Sequence, residues 1–295
     1  MSNRRIGQFS VSPVGFGAMP LSSGGSTTPS PEDAVAVVHA ALDAGITLID
    51  TADIYAPSWD TMGHNESIVA EALRTWSGDA STIVVATKGG ITRAEGEQWG
   101  RDGSPEYLRA AAEASRERLG VEAIDLYYWH RPDRQRLYAD VVETFARLKE
   151  DGVIREIGLS NANVEELQIA VAVLGEGELA AVQNEFSPQF NHTSWRELQW
   201  CGERRIAFLP WSPLGGTGGG AAELGDRFAV IAEVADARGV SPQQVTLAWE
   251  LGLGRHVIPI PGASRASSIV DSARAMDLRL TADEQARISS ALLRR

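Results

Sequence analysis

The most constraining feature of this 295-residue sequence is a regular alternation between short β-branched runs and longer segments with helical periodicity. Residues 82–88, TIVVATK, and residues 124–130, IDLYYWH, are two such runs, and residues 164–174 are apolar at helical spacing. About eight strands separated by helices can be counted. Such alternation implies a parallel sheet, and about eight units close into a barrel. We therefore predict an α/β fold, a single (β/α)8 TIM barrel domain over residues 1–295, with a short N-terminal hairpin.

A doubly wound dinucleotide-binding fold is the main alternative for an alternating pattern of this kind. That fold carries a GxGxxG turn after an early strand, where glycines let the backbone approach a pyrophosphate. Gly15 and Gly17 begin such a turn here, but Pro20 occupies the position of the third glycine. Because the fingerprint is absent, the barrel is the better prediction.

Composition disfavours several classes of function. The formal net charge of −12 argues against nucleic acid or anionic membranes as partners, since both require positive surface. The single cysteine, Cys201, rules out an internal disulfide framework and is typical of a reducing compartment. The sequence has neither a signal-peptide pattern nor an apolar run of about 20 residues. We expect a cytoplasmic protein.

Four chemically useful side chains fall at or just beyond the carboxyl ends of predicted strands. Asp50 ends the run LID and Tyr55 follows it by five residues, while Lys88 and His130 close the next two strands. Barrel enzymes work at this rim. A buried carboxylate is costly unless it is paired, so Asp50 requires a cation, and Lys88 is the obvious partner. An ion pair that only holds two strands together is the structural alternative.

This set of residues lacks both a nucleophile and a pair of histidines at metal-ligand spacing, so we expect no metal site. A tyrosine has an ordinary pKa of about 10, and a neighbouring ammonium lowers that pKa by stabilising the phenolate. We therefore expect Tyr55 to act as a general acid, tuned by Lys88 and Asp50, while His130 orients a carbonyl oxygen. Such a set suits carbonyl reduction by an external hydride donor.

At this point the chain resembles a known family, the aldo-keto reductases, which are barrel enzymes that use NADPH without a doubly wound domain. The resemblance covers nearly the whole chain. It rests on ordered segments that read DTADIY, ATKGG, YYWHRPD, GLSN, VQNEFSP, PWSPLGG and VIPIPGAS. A short, bacterial-type member that reduces an aldehyde or ketone to an alcohol is expected, with Tyr55 as proton donor.

The resemblance also implies a cofactor site. In the family, residues at the positions of Ser160, Asn161 and Gln183 hold the nicotinamide carboxamide, and Trp211 corresponds to the aromatic residue that stacks on the nicotinamide ring. The pyrophosphate would lie along Ser212, Leu214 and Gly215, with the glycine-rich residues 215–220 as a covering loop. Glycines there let backbone amides approach phosphate oxygens closely.

The segment that would hold the adenosine end departs from the family pattern. Many members have a Lys, an Arg and an Asn where this chain has Gly262, Ser268 and Ser272. Arg265 is the remaining cation beside Ser264, and Asp271 occupies the position of the acid that contacts the adenine. We expect NADPH as cofactor, with NADH not excluded.

The substrate is expected to be a small carbonyl compound, and its pocket wall is unusual. The common YG is replaced by YAPSWDTMG, which adds Trp59, and the long loop after Lys88 adds Trp99. Pyridoxal-type aldehydes fit the short members of the family. Two alternatives remain: a non-enzymatic NADPH-binding sensor or auxiliary subunit, and a barrel hydrolase that pairs Asp50 or Asp53 with Glu185. The sequence gives no indication of the oligomeric state.

Overall fold

A computed structural model describes residues 2–23, 28–216 and 220–292 of the chain. Seven parallel strands form its main sheet. They are β3 (Phe16–Gly17), β4 (Leu48–Asp50), β5 (Val84–Gly89), β8 (Ile124–Trp129), β9 (Ile154–Ser160), β10 (Leu179–Glu185) and β11 (Ala207–Trp211). Across the sheet they lie in the order β11-β10-β9-β8-β5-β4-β3. The predicted alternation of strands and helices is therefore confirmed.

The sheet closes through an eighth extended segment, residues 257–262. This segment forms one parallel bridge from Val257 to Phe208 of β11 and another from Gly262 to Gly17 of β3. The Gly17 N–H also donates to Pro261 at 3.0 Å. Because Pro259 and Pro261 lack N–H groups, the segment cannot form a continuous ladder, and only isolated bridges form. The arrangement confirms the (β/α)8 barrel.

Helices surround the barrel on its outer side. They are α1 (Pro20–Ser23), α2 (Pro31–Asp43), α3 (His64–Thr75), α4 (Pro105–Leu119), α5 (Tyr138–Glu150), α6 (Val164–Leu174), α7 (Trp195–Arg204), α8 (Leu224–Arg227), α9 (Ala229–Arg238), α10 (Pro242–Gly252), α11 (Ala266–Ala273) and α12 (Ala282–Leu292). Ser104 and Ser241 cap α4 and α10, each accepting a hydrogen bond from the third helical residue. None of the helices in the described part of the chain is long and apolar enough to cross a membrane.

A hairpin plugs the end of the barrel at which the strands begin. Its strands, β1 (Arg4–Ile6) and β2 (Phe9–Val11), pair antiparallel as the sequence predicted. Ile6 and Val11 are fully buried and pack with Leu48, Val84 and other side chains of the barrel interior. This end is therefore sealed, and the opposite rim, formed by the carboxyl ends of the strands, remains for a functional site.

Residues 89–104 are not simply the long loop after Lys88 that we predicted. They contain a second antiparallel hairpin, β6 (Ile91–Ala94) and β7 (Gln98–Arg101). Its residues are half-buried or exposed, so the apolar alternation that marks a half-buried strand is missing. The tight connection through Gly96, at φ 73°, and Glu97, at φ 61°, is the local signal of the turn.

Helix α3 begins without a side-chain cap. The helix begins at His64 after Gly63, whose φ of 85° suits glycine, and Asn65 lies inside the helix. The Asn65 side chain is buried instead, accepting from Thr51 Oγ1 at 2.6 Å and donating to the Ala18 carbonyl at 2.9 Å. It therefore ties the start of α3 to the chain just beyond β3 and β4.

Candidate active site

A buried ion pair lies at the centre of the rim. Lys88 on β5 and Asp50 at the end of β4 are on neighbouring strands, and Lys88 Nζ lies 2.5 Å from Asp50 Oδ1. The ammonium also donates to the Thr51 carbonyl at 2.7 Å, and the other carboxylate oxygen, Asp50 Oδ2, accepts from Gln183 Nε2 at 2.7 Å. All three side chains are almost completely buried. The predicted partnership of Asp50 and Lys88 is confirmed.

Tyr55 lies beside this pair. Lys88 Nζ is 5.0 Å from the centroid of the Tyr55 ring. The turn that carries the ring is fixed by its backbone, since the Tyr55 N–H donates to Ala52 at 3.2 Å and its carbonyl accepts from Asn65 at 3.1 Å. The Tyr55 phenol and the Lys88 ammonium therefore lie next to each other on the rim.

The pKa of Tyr55 does not shift in the direction that we expected. Burial raises it above 10.0, and this effect exceeds the lowering caused by Lys88, while Asp50 and Asp53 add to the rise. Tyr55 is therefore a protonated phenol at neutral pH. A proton donor in a reduction must hold its proton until an alkoxide develops, so this state is compatible with a general acid.

His130 follows β8 directly and packs against Tyr55. The centroids of the two rings are 5.7 Å apart, with the planes at 83° to one another. Burial lowers the pKa of His130 well below 6.5, and the positive charges of Lys88 and Arg131 lower it further. The imidazole is therefore neutral, and a neutral ring can donate one hydrogen bond to a carbonyl oxygen.

The predicted nicotinamide residues meet on adjacent strand ends, but they are tied mainly to one another. Ser160 Oγ donates to the main-chain carbonyl of Gln183 at 2.8 Å, and Asn161 Nδ2 donates to the main-chain carbonyl of His130 at 3.0 Å. Asn161 has a φ of 59°, a left-handed conformation that asparagine adopts more readily than most residues. Because Gln183 Nε2 is committed to Asp50, the part of this side chain left for a ligand is its carbonyl oxygen.

Trp211 ends β11 on the same rim and lies half-buried against the barrel interior. Its Nε1 is a buried atom that makes no hydrogen bond within the described residues. Ser212 follows at φ 51°, and Gly215 at φ 93°. A Cβ on Gly220 would lie 2.6 Å from the Gly215 carbonyl oxygen, so the two ends of the glycine-rich loop meet closely. Residues 217–219 of the predicted covering loop lie outside the described residues.

The proposed adenosine segment leads from the eighth strand position into α11. Arg265 is the N-cap residue of α11 and is exposed, and its guanidinium makes no hydrogen bond or ion pair with any residue that the structure describes, while its backbone carbonyl accepts from Ser268 at 3.1 Å. Asp271, in contrast, accepts from Ser241 Oγ and from Gln244 Nε2, each at 2.6 Å. Its carboxylate therefore anchors α11 to α10, and Ser272 beside it is buried. Gly262 is exposed, and Ser264 is half-buried.

The loop after Tyr55 contacts the β6–β7 hairpin through residues that the sequence analysis missed. Arg93 Nη1 donates to the Ala56 carbonyl at 2.9 Å and Arg93 Nη2 donates to the Pro57 carbonyl at 3.2 Å. Trp59 and Trp99 lie on this loop and hairpin and are 38% and 61% exposed. Arg93 also pairs with Glu97, and no local signal identifies this pair, because an i, i+4 spacing of opposite charges ordinarily indicates a helix.

A second group of acids lies below the rim. Glu66 is fully buried and binds Arg118 Nη1 and Thr87 Oγ1, at 2.7 and 2.6 Å. Burial and the charge of Glu66 raise the pKa of Asp53 well above 3.8. No group of three or more His, Cys, Asp or Glu side chains able to hold a metal occurs in residues 2–23, 28–216 and 220–292. For the hydrolase alternative, burial disfavours the ionised form of Asp53, and both oxygens of Asp50 are already bound to Lys88 and Gln183.

Comparisons with known proteins agree with the fold. A sequence model of the Aldo/keto reductase family matches residues 13–293. An uncharacterised oxidoreductase of Schizosaccharomyces pombe is 30% identical over 286 residues, which cover 96% of this chain and 88% of that protein. A probable aldo-keto reductase of Glycine max is 32% identical, covering 92% of this chain and 83% of that protein.

Solved structures give the same result. An aldo/keto reductase from Klebsiella pneumoniae, crystallised with NADP and acetate, has a TM-score of 0.81 and 25% identity, covering 99% of this chain and 96% of that one. A glycerol dehydrogenase from Gluconobacter oxydans has a TM-score of 0.82 and 26% identity, and the match covers 99% of this chain and 95% of that one. The family match and the relatives together assign the chain: it belongs to the aldo/keto reductase family of oxidoreductases.

Proposed function

We propose that this protein reduces a small aldehyde or ketone to an alcohol with NADPH, and that Tyr55 is the general acid. The observation that carries the proposal is the buried Lys88 ammonium, bound to Asp50 and 5.0 Å from the centroid of the Tyr55 ring. A catalytic proton donor requires a neighbour that stabilises its conjugate base, and Lys88 is placed to do so. Membership of a family of oxidoreductases supports the same chemistry.

The side chains divide the work as follows. When bound, NADPH supplies the hydride. Tyr55 gives its proton to the carbonyl oxygen as negative charge develops there, and Lys88 stabilises the phenolate that remains. Asp50 and Gln183 hold the ammonium in place. Neutral His130 donates a hydrogen bond to the same oxygen, which sets the orientation of the carbonyl group.

Several residues fit a nicotinamide dinucleotide. Trp211, half-buried on the rim, presents an indole on which a nicotinamide ring would stack, and Ser160, Asn161 and the side-chain carbonyl oxygen of Gln183 lie at or near the ends of β9 and β10 on the same rim. Ser212, Leu214 and Gly215 would follow the pyrophosphate. Arg265 is the cation available to a 2′-phosphate, which supports NADPH over NADH, and a crystallised relative from Klebsiella pneumoniae contains NADPH.

The substitution Tyr55→Phe tests the acid. We expect it to reduce kcat by about a hundredfold or more, a typical contribution of a general acid, and to leave NADPH binding unchanged. NADPH binding is measured by the quenching of tryptophan fluorescence. Tyr138→Phe is the matched control, because the Tyr138 hydroxyl is also buried and makes no hydrogen bond in the described parts of the chain. Equal activity of Tyr55→Phe and wild type would refute the assignment.

The substrate is best sought among small polar or planar aldehydes, including pyridoxal-type compounds, with NADPH and NADH compared in parallel. Glycerol should be added in the oxidative direction, since one relative is a glycerol dehydrogenase. Tight NADPH binding without turnover on any of these compounds would instead favour a sensor or auxiliary subunit.

A further inference from the structure

A single guanidinium links the loop after Tyr55 to the β6–β7 hairpin. Arg93 donates to the carbonyls of Ala56 and Pro57, the two residues that follow Tyr55 in the chain. Its side chain is only 8% exposed, although it lies at the mouth of the barrel. A nearly buried arginine with its N–H groups directed to backbone carbonyls holds a defined geometry, because the planar fork loses little freedom for each hydrogen bond formed.

Glu97 completes the link from the turn between β6 and β7. Its carboxylate pairs with Arg93 Nε and also accepts from the Trp59 N–H at 3.1 Å. The hydrogen bond from Arg93 lowers the pKa of Glu97, so the pair is charged at neutral pH. We call Arg93 and Glu97 the rim clasp, since the pair joins residues 56–59 to β6–β7.

The rim clasp also fixes two tryptophans. Arg93 faces Trp99 across the antiparallel ladder, and its guanidinium lies 4.8 Å from the centroid of the indole. Trp59 is held through its backbone N–H. The loop follows β4 and the hairpin follows β5, so both rise from the rim next to Asp50 and Lys88. Both tryptophans therefore belong to segments that the clasp holds beside the site, and the indole of Trp99 lies directly against the Arg93 guanidinium.

From these contacts we infer that Arg93 is a positioning residue, which fixes the backbone after Tyr55 and holds Trp59 and Trp99 as a wall selective for planar, ring-bearing aldehydes. The inference rests on the proposed function and names a substrate class for the same site. Flat rings gain from stacking on an ordered indole, whereas a short aliphatic aldehyde has little surface to place against it. A small displacement of a catalytic group lowers the reaction rate strongly. Loss of the clasp is therefore also expected to slow proton transfer from Tyr55, because the backbone after Tyr55 is no longer fixed.

Arg93→Gln removes the charge and the fork, and Arg93→Lys keeps the charge alone. We expect Arg93→Gln to lower kcat/KM for 4-nitrobenzaldehyde by about tenfold or more, with a smaller loss for propanal and a NADPH affinity within about twofold of wild type. For 4-nitrobenzaldehyde, the kcat/KM of Arg93→Lys should lie between those of wild type and Arg93→Gln. Arg74→Gln is the matched control, since Arg74 pairs with Glu71 on the exposed face of α3. A loss of less than twofold in Arg93→Gln, or an equal loss for both aldehydes, would overturn the inference.

Hydrogen exchange separates the clasp from the chemistry. In Arg93→Gln the amides of residues 56–62 should exchange faster than in wild type, while those of β8 and β9 should not change. Unchanged exchange at residues 56–62 would refute the clasp even if turnover fell. Wild-type protein that shows no NADPH-dependent turnover, together with faster exchange in the variant, would refute the proposed function and the substrate class while leaving the clasp itself established.

Discussion

Gln183 Nε2 lies 2.7 Å from Asp50 Oδ2, on the side of the carboxylate away from Lys88. Both oxygens of Asp50 therefore have a buried donor. Burial raises the pKa of Asp50, but Lys88 and Gln183 oppose that effect by stabilising the carboxylate. Gln183 thus supports the charge that holds the ammonium beside Tyr55, a task different from the cofactor contact that the family resemblance implied.

Lys88→Met should abolish most of the activity and also weaken the fold. Removing one partner of a buried pair leaves an unpaired charge, which typically costs about 3–5 kcal/mol of stability. The double variant Lys88→Met with Asp50→Asn should recover most of that stability, because no buried charge remains, but not the activity. Urea denaturation and initial rates measure the two effects. Recovery of turnover in the double variant would contradict a role for Lys88 in catalysis.

His130 should remain neutral throughout the ordinary assay range. Burial, Lys88 and Arg131 all lower its pKa well below 6.5, so no protonation step of this ring falls between about pH 6.5 and 8. The rate profile of the wild type should therefore show no acidic limb near pH 6.5. His130→Gln, which keeps a hydrogen-bond donor, should be slower at every pH without a change in profile shape. A limb near 6.5 that disappears in the variant would contradict this prediction.

Arg265→Gln should distinguish the two nicotinamide cofactors. A charge-assisted hydrogen bond to a phosphate contributes roughly 1.5–3 kcal/mol, so NADPH should bind about tenfold to a hundredfold more weakly. The affinity for NADH, which lacks the 2′-phosphate, should change by less than about twofold. Arg274→Gln at the opposite end of α11 is the control, since Arg274 is also exposed. Equal weakening of both cofactors would place Arg265 away from the 2′-phosphate.

The barrel and most of its rim could be predicted from the sequence because the relevant signals are local. Buried parallel strands are nearly continuous apolar runs, as in β5, and a polar side chain at the end of such a run must face the carboxyl rim. Consecutive units are neighbours in a barrel. Asp50, Lys88 and His130 therefore had to lie close together once the strands were identified.

What the sequence could not supply depends on distances across the barrel and on depth of burial. Gln183 and Asp50 are separated by 133 positions, and nothing local indicates that their side chains meet. The direction of the Tyr55 pKa depends on burial outweighing the Lys88 charge, which requires coordinates. The β6–β7 hairpin escaped prediction because polar residues on both of its faces resemble a loop.

Glu250 gives a prediction that is independent of the active site. It lies near the end of α10, is fully buried between Trp249 and Leu251, and neither carboxyl oxygen has a partner among the described residues. Burial raises its pKa well above the ordinary value of 4.5. An uncharged acid in such a position is tolerated, whereas an ionised one is costly.

The pH dependence of stability follows from that shift. Above pH 4.5 an unfolded chain releases the Glu250 proton while the folded chain keeps it, so the free energy of unfolding falls as pH rises toward the folded-state pKa. The loss from one such proton is at most about 1.4 kcal/mol per pH unit. Glu250→Gln has no titrating group at this position. The stability of the variant relative to wild type should therefore rise progressively between pH 5 and pH 9, with the smallest difference near pH 5. Urea denaturation at pH 5, 7 and 9 measures the difference, and Glu143→Gln on the exposed face of α5 is the control. If wild type and Glu250→Gln lost stability in parallel over this range, the buried acid would have to be ionised in the folded protein, and the prediction would be wrong.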